Sequence, residues 1–212
     1  MSVMESIPRE EALEAGGYGK GVAVAIVAQN KDDSGLGRIR VTYPWHDSAG
    51  ESYWARVAMP MAGKGRGVYF IPEVGDEVLV AFERGDLRFP YIVGSLWNGV
   101  DGAPETNADG KNDRRVIKTR KGHQLSFDDG DAGSVRLQLN DGKLLVIDDD
   151  GIRLDDGSGN SLVIDSRSGS MTLQAAASLS LKAPQVTIES SATLSLKSSG
   201  PATVQATPIL LN

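Results

Sequence analysis

The chain has 212 residues, 40% of them hydrophobic and 24% charged, with a formal net charge of −6 and no cysteine. The length fits one or two globular domains, and the missing cysteines exclude disulfides, thiolate metal sites and Cys nucleophiles. An acidic chain without a basic cluster argues against nucleic acid as the main partner, because phosphate contacts need a Lys/Arg footprint.

Residues 1–20 read as a short N-terminal arm. Pro8 to Ala15 favours a brief helix, with Pro and Glu suited to its first turn and Gly16-Gly17 ending it. Neither a basic n-region nor an apolar h-region precedes Gly21, so the expectation is synthesis in the cytoplasm without a signal peptide. No run of 18 apolar residues suggests a transmembrane helix.

Residues 21–98 carry short strand patterns broken by turn chemistry. Gly21 to Gln29 is rich in Val and Ile, and Asn30 to Gly35 is a turn. Arg38 to Tyr43 alternates, with Ile39, Val41 and Tyr43 on one face. Tyr53 to Met59 predicts a third strand and Gly67 to Ile71 a short fourth. Glu77 to Phe82 alternates again, Glu83 to Asp86 turns the chain, and Tyr91 to Gly94 closes the set. Short strands at this density, without a convincing helix, predict a small Greek-key barrel. The aromatics concentrate here, as a conventional core requires. Residues 99–112 are polar and small, and read as a linker.

Residues 113–212 differ in kind. All twelve aromatic residues of the chain precede position 128. Apolar residues instead recur in i, i+2 pairs: Ile152/Leu154, Leu162/Ile164, Met171/Leu173, Leu179/Leu181, Val186/Ile188, Leu194/Leu196 and, more weakly, Ala202/Val204. Val135/Leu137/Leu139 and Leu145/Ile147 continue the style upstream. This is an internal repeat of about eight residues, each unit one strand and one turn with both apolar side chains on one face. One such strand cannot bury its face alone. The economical solution is three chains around a common axis, each giving one strand per layer, with Val, Leu and Ile filling an interior too narrow for rings. Each buried side chain then contributes roughly 1.5–3 kcal/mol.

Three segments now carry a resemblance. They are Gly37 to Trp45 (GRIRVTYPW), Trp54 to Pro60 (WARVAMP) and Ile71 to Phe82 (IPEVGDEVLVAF), followed by Gly85-Asp86, Pro90 and Gly94 to Gly99 (GSLWNG). In this order they resemble the OB-fold of the central spike family of contractile injection machines, which includes phage baseplate assembly protein V and the valine-glycine repeat (VgrG) spikes of type VI secretion. The resemblance spans roughly residues 20–212. It implies an all-β chain: an N-terminal OB-fold barrel followed by a C-terminal triple-stranded intertwined β-helix in a homotrimer. The trimer core would hold Ile152, Leu154, Leu162, Ile164, Met171, Leu173, Leu179, Leu181, Val186, Ile188, Leu194, Leu196 and Val204.

The implied function is structural: a spike seated on a separate hub protein at the barrel end and driven through the target envelope when the sheath contracts. The implied location is a virion tail baseplate or a phage-tail-like particle, with only transient membrane contact. The alternative is a spike-borne cell-wall hydrolase or an effector carrier. Ile209, Leu210 and Leu211 would present an apolar end, which related spikes cover with a PAAR-repeat tip protein. The His-X-His apical iron site of some short spikes has no counterpart, since no histidine follows His123.

No catalytic, cofactor or metal site is expected. Asp128 to Asp131 and Asp148 to Asp150 do not meet the EF-hand pattern and read as acidic turns, as does Asp155 to Asn160. Gly63 to Gly67 lacks the Ser/Thr and helix of a phosphate loop. Glu73 and Asp76 read as turn geometry in which Gly75 supplies a positive φ. His46 and His123 read as exposed loop and turn residues.

Overall fold

The computed structural model describes residues 21–46 and 50–209. The helix expected over Pro8 to Ala15 and the end residues Leu210 and Leu211 lie outside these. The chain divides into two compact units between Thr106 and Asn107.

The first unit is a five-stranded barrel. Its sheet runs β2 (Arg40–Thr42), β1 (Val22–Gln29), β6 (Glu77–Phe82), β7 (Pro90–Ser95), β3 (Arg56–Val57). All neighbours are antiparallel except β3 and β7. Reciprocal backbone hydrogen bonds between Ile39 and Ala55, 2.8 and 3.0 Å long, join the two edges and close the barrel. The alternation predicted for β2 and β6 holds: Ile39, Val41, Val78, Val80 and Phe82 point inward. With Ala25, Val27, Ala55 and Ile92 they form the core.

Two expectations are corrected here. Gly67 to Ile71 is not a strand; the chain instead forms a small hairpin of β4 (Ala62–Gly63) and β5 (Arg66–Gly67). Lys64-Gly65 is its turn, which accounts for the glycine-rich run. Nor do aromatics fill the core. Phe82 is buried and Tyr43 packs beside it, but Trp45, Tyr53, Tyr69, Phe70, Phe89 and Trp97 are exposed. A barrel of only five strands has a narrow interior that Ala, Val and Ile suffice to fill.

Two loops are built as the turn chemistry requires. Asp32 accepts hydrogen bonds from Arg38 Nε (2.8 Å) and Nη2 (3.1 Å) and from the Ser34 hydroxyl (2.6 Å), fixing the path from β1 to β2. Gly75 has φ +98° and donates its N–H to Val27 O, as the turn reading of Glu73 to Asp76 requires.

The second unit is a seven-stranded antiparallel meander: β8 (Arg114–Lys118), β9 (Gln124–Asp128), β10 (Ser134–Gln138), β11 (Leu144–Asp148), β12 (Gly151–Asp155), β13 (Ser161–Asp165) and β14 (Ser170–Gln174), in sequential order. This corrects the expectation of one strand per layer from each chain across the whole segment. As far as Gln174, consecutive strands pair with each other within the chain, because the Asp/Gly turns between them reverse its direction. Residues 175–209 lie outside any strand, and all from 176 onward are exposed.

Candidate interaction face of the C-terminal sheet

Period-two alternation combined with unshifted register aligns most of the apolar residues of the seven strands into two ladders. The first runs Ile117, Leu125, Leu137, Leu145, Leu154, Leu162, Leu173. The second runs Phe127, Val135, Ile147, Ile152, Ile164, Met171. The two ladders lie two residues apart along each strand, so they occupy one face of the sheet. The residues between them are Val116, Ser126, Arg136, Val146, Arg153, Val163 and Thr172 on the other face.

Within one chain this face is largely open to solvent. Ile152 is 38% exposed, Leu154 52% and Met171 70%. Along the Leu ladder from β10 to β14 the face hollows into an apolar cleft of about 410 Å³, lined by Leu137, Leu145, Leu154, Leu162, Leu173 and Leu179 among others. A contiguous apolar surface of this kind marks an interaction site.

Six of the expected core residues, Ile152, Leu154, Leu162, Ile164, Met171 and Leu173, therefore stand together on this face. Leu179, Leu181, Val186, Ile188, Leu194, Leu196 and Val204 lie in the extended segment beyond it, each more than half exposed; Ile209 is 47% exposed. The structure adds Ile117, Leu125 and Phe127 at the upstream end. Leu125 and Phe127 carry the same i, i+2 signal, and Phe127, 41% exposed, begins the second ladder.

The acidic segments are turn caps. Asp148 Oδ1 accepts the N–H groups of Asp150 (2.9 Å) and Gly151 (3.1 Å), Asp155 Oδ1 that of Gly157 (2.7 Å), and Asp165 Oδ1 those of Arg167 (2.9 Å) and Ser168 (2.8 Å). Asp128 Oδ1 likewise accepts from Gly130 at 3.0 Å. Ion pairing with Arg153, then the Gly157 N–H, holds Asp155 below the usual carboxylate range; hydrogen bonds from Asn160 and Ser158 do the same for Asp156. Among the described residues no three His, Asp or Glu side chains converge to hold a metal ion, and no helix is long and apolar enough to cross a membrane.

His123 departs from its expected exposure. It sits in the β8–β9 turn, half-buried, and its Nδ1 accepts the Asn140 N–H at 3.3 Å. His46 is exposed, edge-on to Trp45.

The two units match two domain families. Residues 23–97 match the type VI secretion system/phage-baseplate injector OB domain, and residues 114–194 match the phage baseplate V C-terminal trimerisation domain. The chain belongs to the baseplate V/VgrG-like spike family. It is 39% identical over 114 residues to the type VI secretion system spike protein VgrG3 of Vibrio cholerae, covering 49% of this chain and 11% of that protein. To the spike protein VgrG1a of Pseudomonas aeruginosa it is 40% identical over 72 residues, covering 32% of this chain and 11% of that protein. To the actin cross-linking toxin VgrG1 of V. cholerae it is 33% identical over 113 residues, covering 49% and 10%. The chain thus spans about a tenth of the length of these relatives.

Proposed function

We propose that this chain is the central spike of a contractile injection machine: a homotrimer whose barrel seats on a hub and whose C-terminal half is driven through the target envelope when the sheath contracts. The observation that carries the reading is the uncovered pair of ladders, which lies within the segment matching a trimerisation domain. Three copies turning these faces to a common axis bury every rung at once. A closed three-sided prism also leaves no lateral sheet edge to fray under axial load. Residues 175–209 then continue the prism as the intertwined β-helix.

The role is mechanical and not enzymatic. Asp155 and Asp156, which cap turns in the C-terminal unit, are held below the usual carboxylate range by Arg153 and by N–H donors, the opposite of what a general acid requires. The hub at the barrel end, a PAAR-like tip protein over residues 207–212, and residence in a phage tail or phage-tail-like particle are carried over from the family resemblance. A second reading, carriage of an effector, is favoured by the similarity to a relative named as a toxin. Both readings use the same trimeric shaft.

The test is to purify contractile particles from cells producing a tagged chain and to locate the tag by electron microscopy. Three copies at the baseplate centre, below the tube, are expected. Particles that lack the chain overturn the proposal.

A further inference from the structure

We propose that residues 1–20 fold back onto the outside of their own barrel and cover an apolar face formed by β1, β6 and β7. This goes beyond the spike reading and does not depend on the trimer.

The face follows from register. Val22, Val24 and Ile26 alternate with the inward residues of β1 and stand across from Ala81, Leu79 and Glu77 of β6. Among these six outward residues only Glu77 is polar. Val22 is 61% exposed and Val24 40%, and Val93, the residue left over at the β7 bulge, is 50% exposed. A barrel strand with one wet face alternates apolar with polar residues; β1 and β6 instead read as strands covered on both sides. The flanking strands keep the ordinary pattern, with Thr42 of β2 beside Ile26 and Arg56 of β3 beside Tyr91. Trp45 bounds the face on one side, its indole N–H donating to Val24 O at 3.0 Å. On the other side the exposed Arg56 lies 5.1 Å from the Tyr91 ring.

The occupant is the segment that leads into the face. β1 begins at Val22, and the residue before it, Gly21, has φ +90°. A left-handed residue there bends the incoming chain out of the line of the strand. Residues 1–20 carry complementary chemistry. Val3, Met4, Ile7, Leu13 and Tyr18 are apolar, and Glu5, Glu10, Glu11 and Glu14 outnumber Arg9 and Lys20, a balance that suits Arg56. The reach is sufficient. Gly16 to Lys20 spans up to about 17 Å when extended, whereas β7 lies two strand spacings, about 10 Å, from β1. Pro8 to Ala15, read from sequence as a helix, has a length of about 12 Å, enough to cross three strands. A tether this short also gives the arm an effective concentration in the millimolar range, which a separate protein has to exceed.

Trypsin cutting after Arg9 reads the contact in the full chain, with loss of residues 1–9 followed by mass spectrometry. The natural chain is expected to be cut about tenfold more slowly than V24S/L79S, altered only on the outer face, and than I7S/L13S, which leaves the barrel untouched. Combining the four substitutions is expected to add nothing further, because both pairs break one contact. Equal cutting of the natural chain and I7S/L13S overturns the inference and leaves the face to another protein. The chain has no native cysteine, so L13C/V24C joined in the native state by a bismaleimide shows whose barrel is covered. A bridge within one chain is expected; bridges between chains, or none, overturn the inference. A trimer by light scattering with a freely cut arm sinks this inference alone and leaves the spike reading standing.

Discussion

Ile152 on β12 stands directly across from Ile164 on β13, and that pair is one rung of a line that passes through Ile147 on one side and Met171 on the other. A line of this kind requires every turn to return the chain in the same register. One residue of slip in any hairpin would send the following strand's apolar residues to the opposite face. The meander is thus a device for displaying one continuous apolar face, most of whose side chains find no enclosed core within the chain.

That display predicts the assembly state. Light scattering of the purified protein is expected to give about three times the chain mass of 22.5 kDa. The trimer should also survive SDS without heating, because intertwined strands must unthread before the chains separate. A well-folded monomer at micromolar concentration would contradict the whole reading.

Leu179→Asp and Ile188→Asp are expected to abolish trimer formation, whereas Ser180→Asp and Thr187→Asp leave it intact. Each of the first pair loses about 2–3 kcal/mol of burial per chain and sets three carboxylates together at the axis, where desolvation adds to the loss. The second pair occupies the alternate, outward positions. Trimer yield on a sizing column is the readout, and equal behaviour of all four variants would show that the assumed facing is wrong.

What the sequence made legible follows from periodicity. The i, i+2 pairs identify the apolar face rung by rung, and the alternation at Ile39/Val41 and Val78/Val80/Phe82 identifies the inward side of the barrel. Pairing partners were not legible in the same way. An octad of one strand and one turn is compatible with strands from one chain or from three, and only the turn residues distinguish them. The β4–β5 hairpin was missed because its strands, Ala62–Gly63 and Arg66–Gly67, are two residues each, too short to show an alternating pattern around the Lys64-Gly65 turn. The exposed barrel aromatics were misread because ring content says nothing about the width of the cavity available.

The Asp32–Arg38 pair predicts a pH dependence of the barrel. The Asp32 side chain is 3% exposed, and its hydrogen bonds from Arg38, then Ser34, hold its pKa well below the ordinary 3.8. A carboxyl lowered in the folded state contributes stability above its ordinary pKa and loses it as the pH falls below that value. All three tryptophans, Trp45, Trp54 and Trp97, lie in the barrel, and Arg38 sits 5.5 Å from the Trp54 ring. Trp fluorescence melts of the intact chain therefore report this region. Asp32→Asn is expected to melt earlier than the natural chain at pH 7, with the gap closing between about pH 5 and pH 2. A gap that stays constant over that range would show that the pair does not control the acid response.

Gly151 offers the sharpest test of the hairpin geometry. It begins β12 directly after Asp149-Asp150, with φ +143°, and a Cβ there would lie 1.9 Å from the carbonyl oxygen of Ile164. That oxygen belongs to the backbone of the neighbouring strand, so the clash can be relieved only by parting β12 from β13. Gly169, in the β13–β14 turn, has φ +67° but nothing within 4 Å of the same position. Gly169→Ala should then cost only the left-handed backbone penalty, about 1–2 kcal/mol. Gly151→Ala should cost clearly more, because it incurs a backbone penalty and also separates one rung of each ladder. Melting temperature and trimer yield are measured for both variants. If Gly151→Ala is no worse than Gly169→Ala, the β12–β13 approach is looser than described and the ladders are not held by that contact.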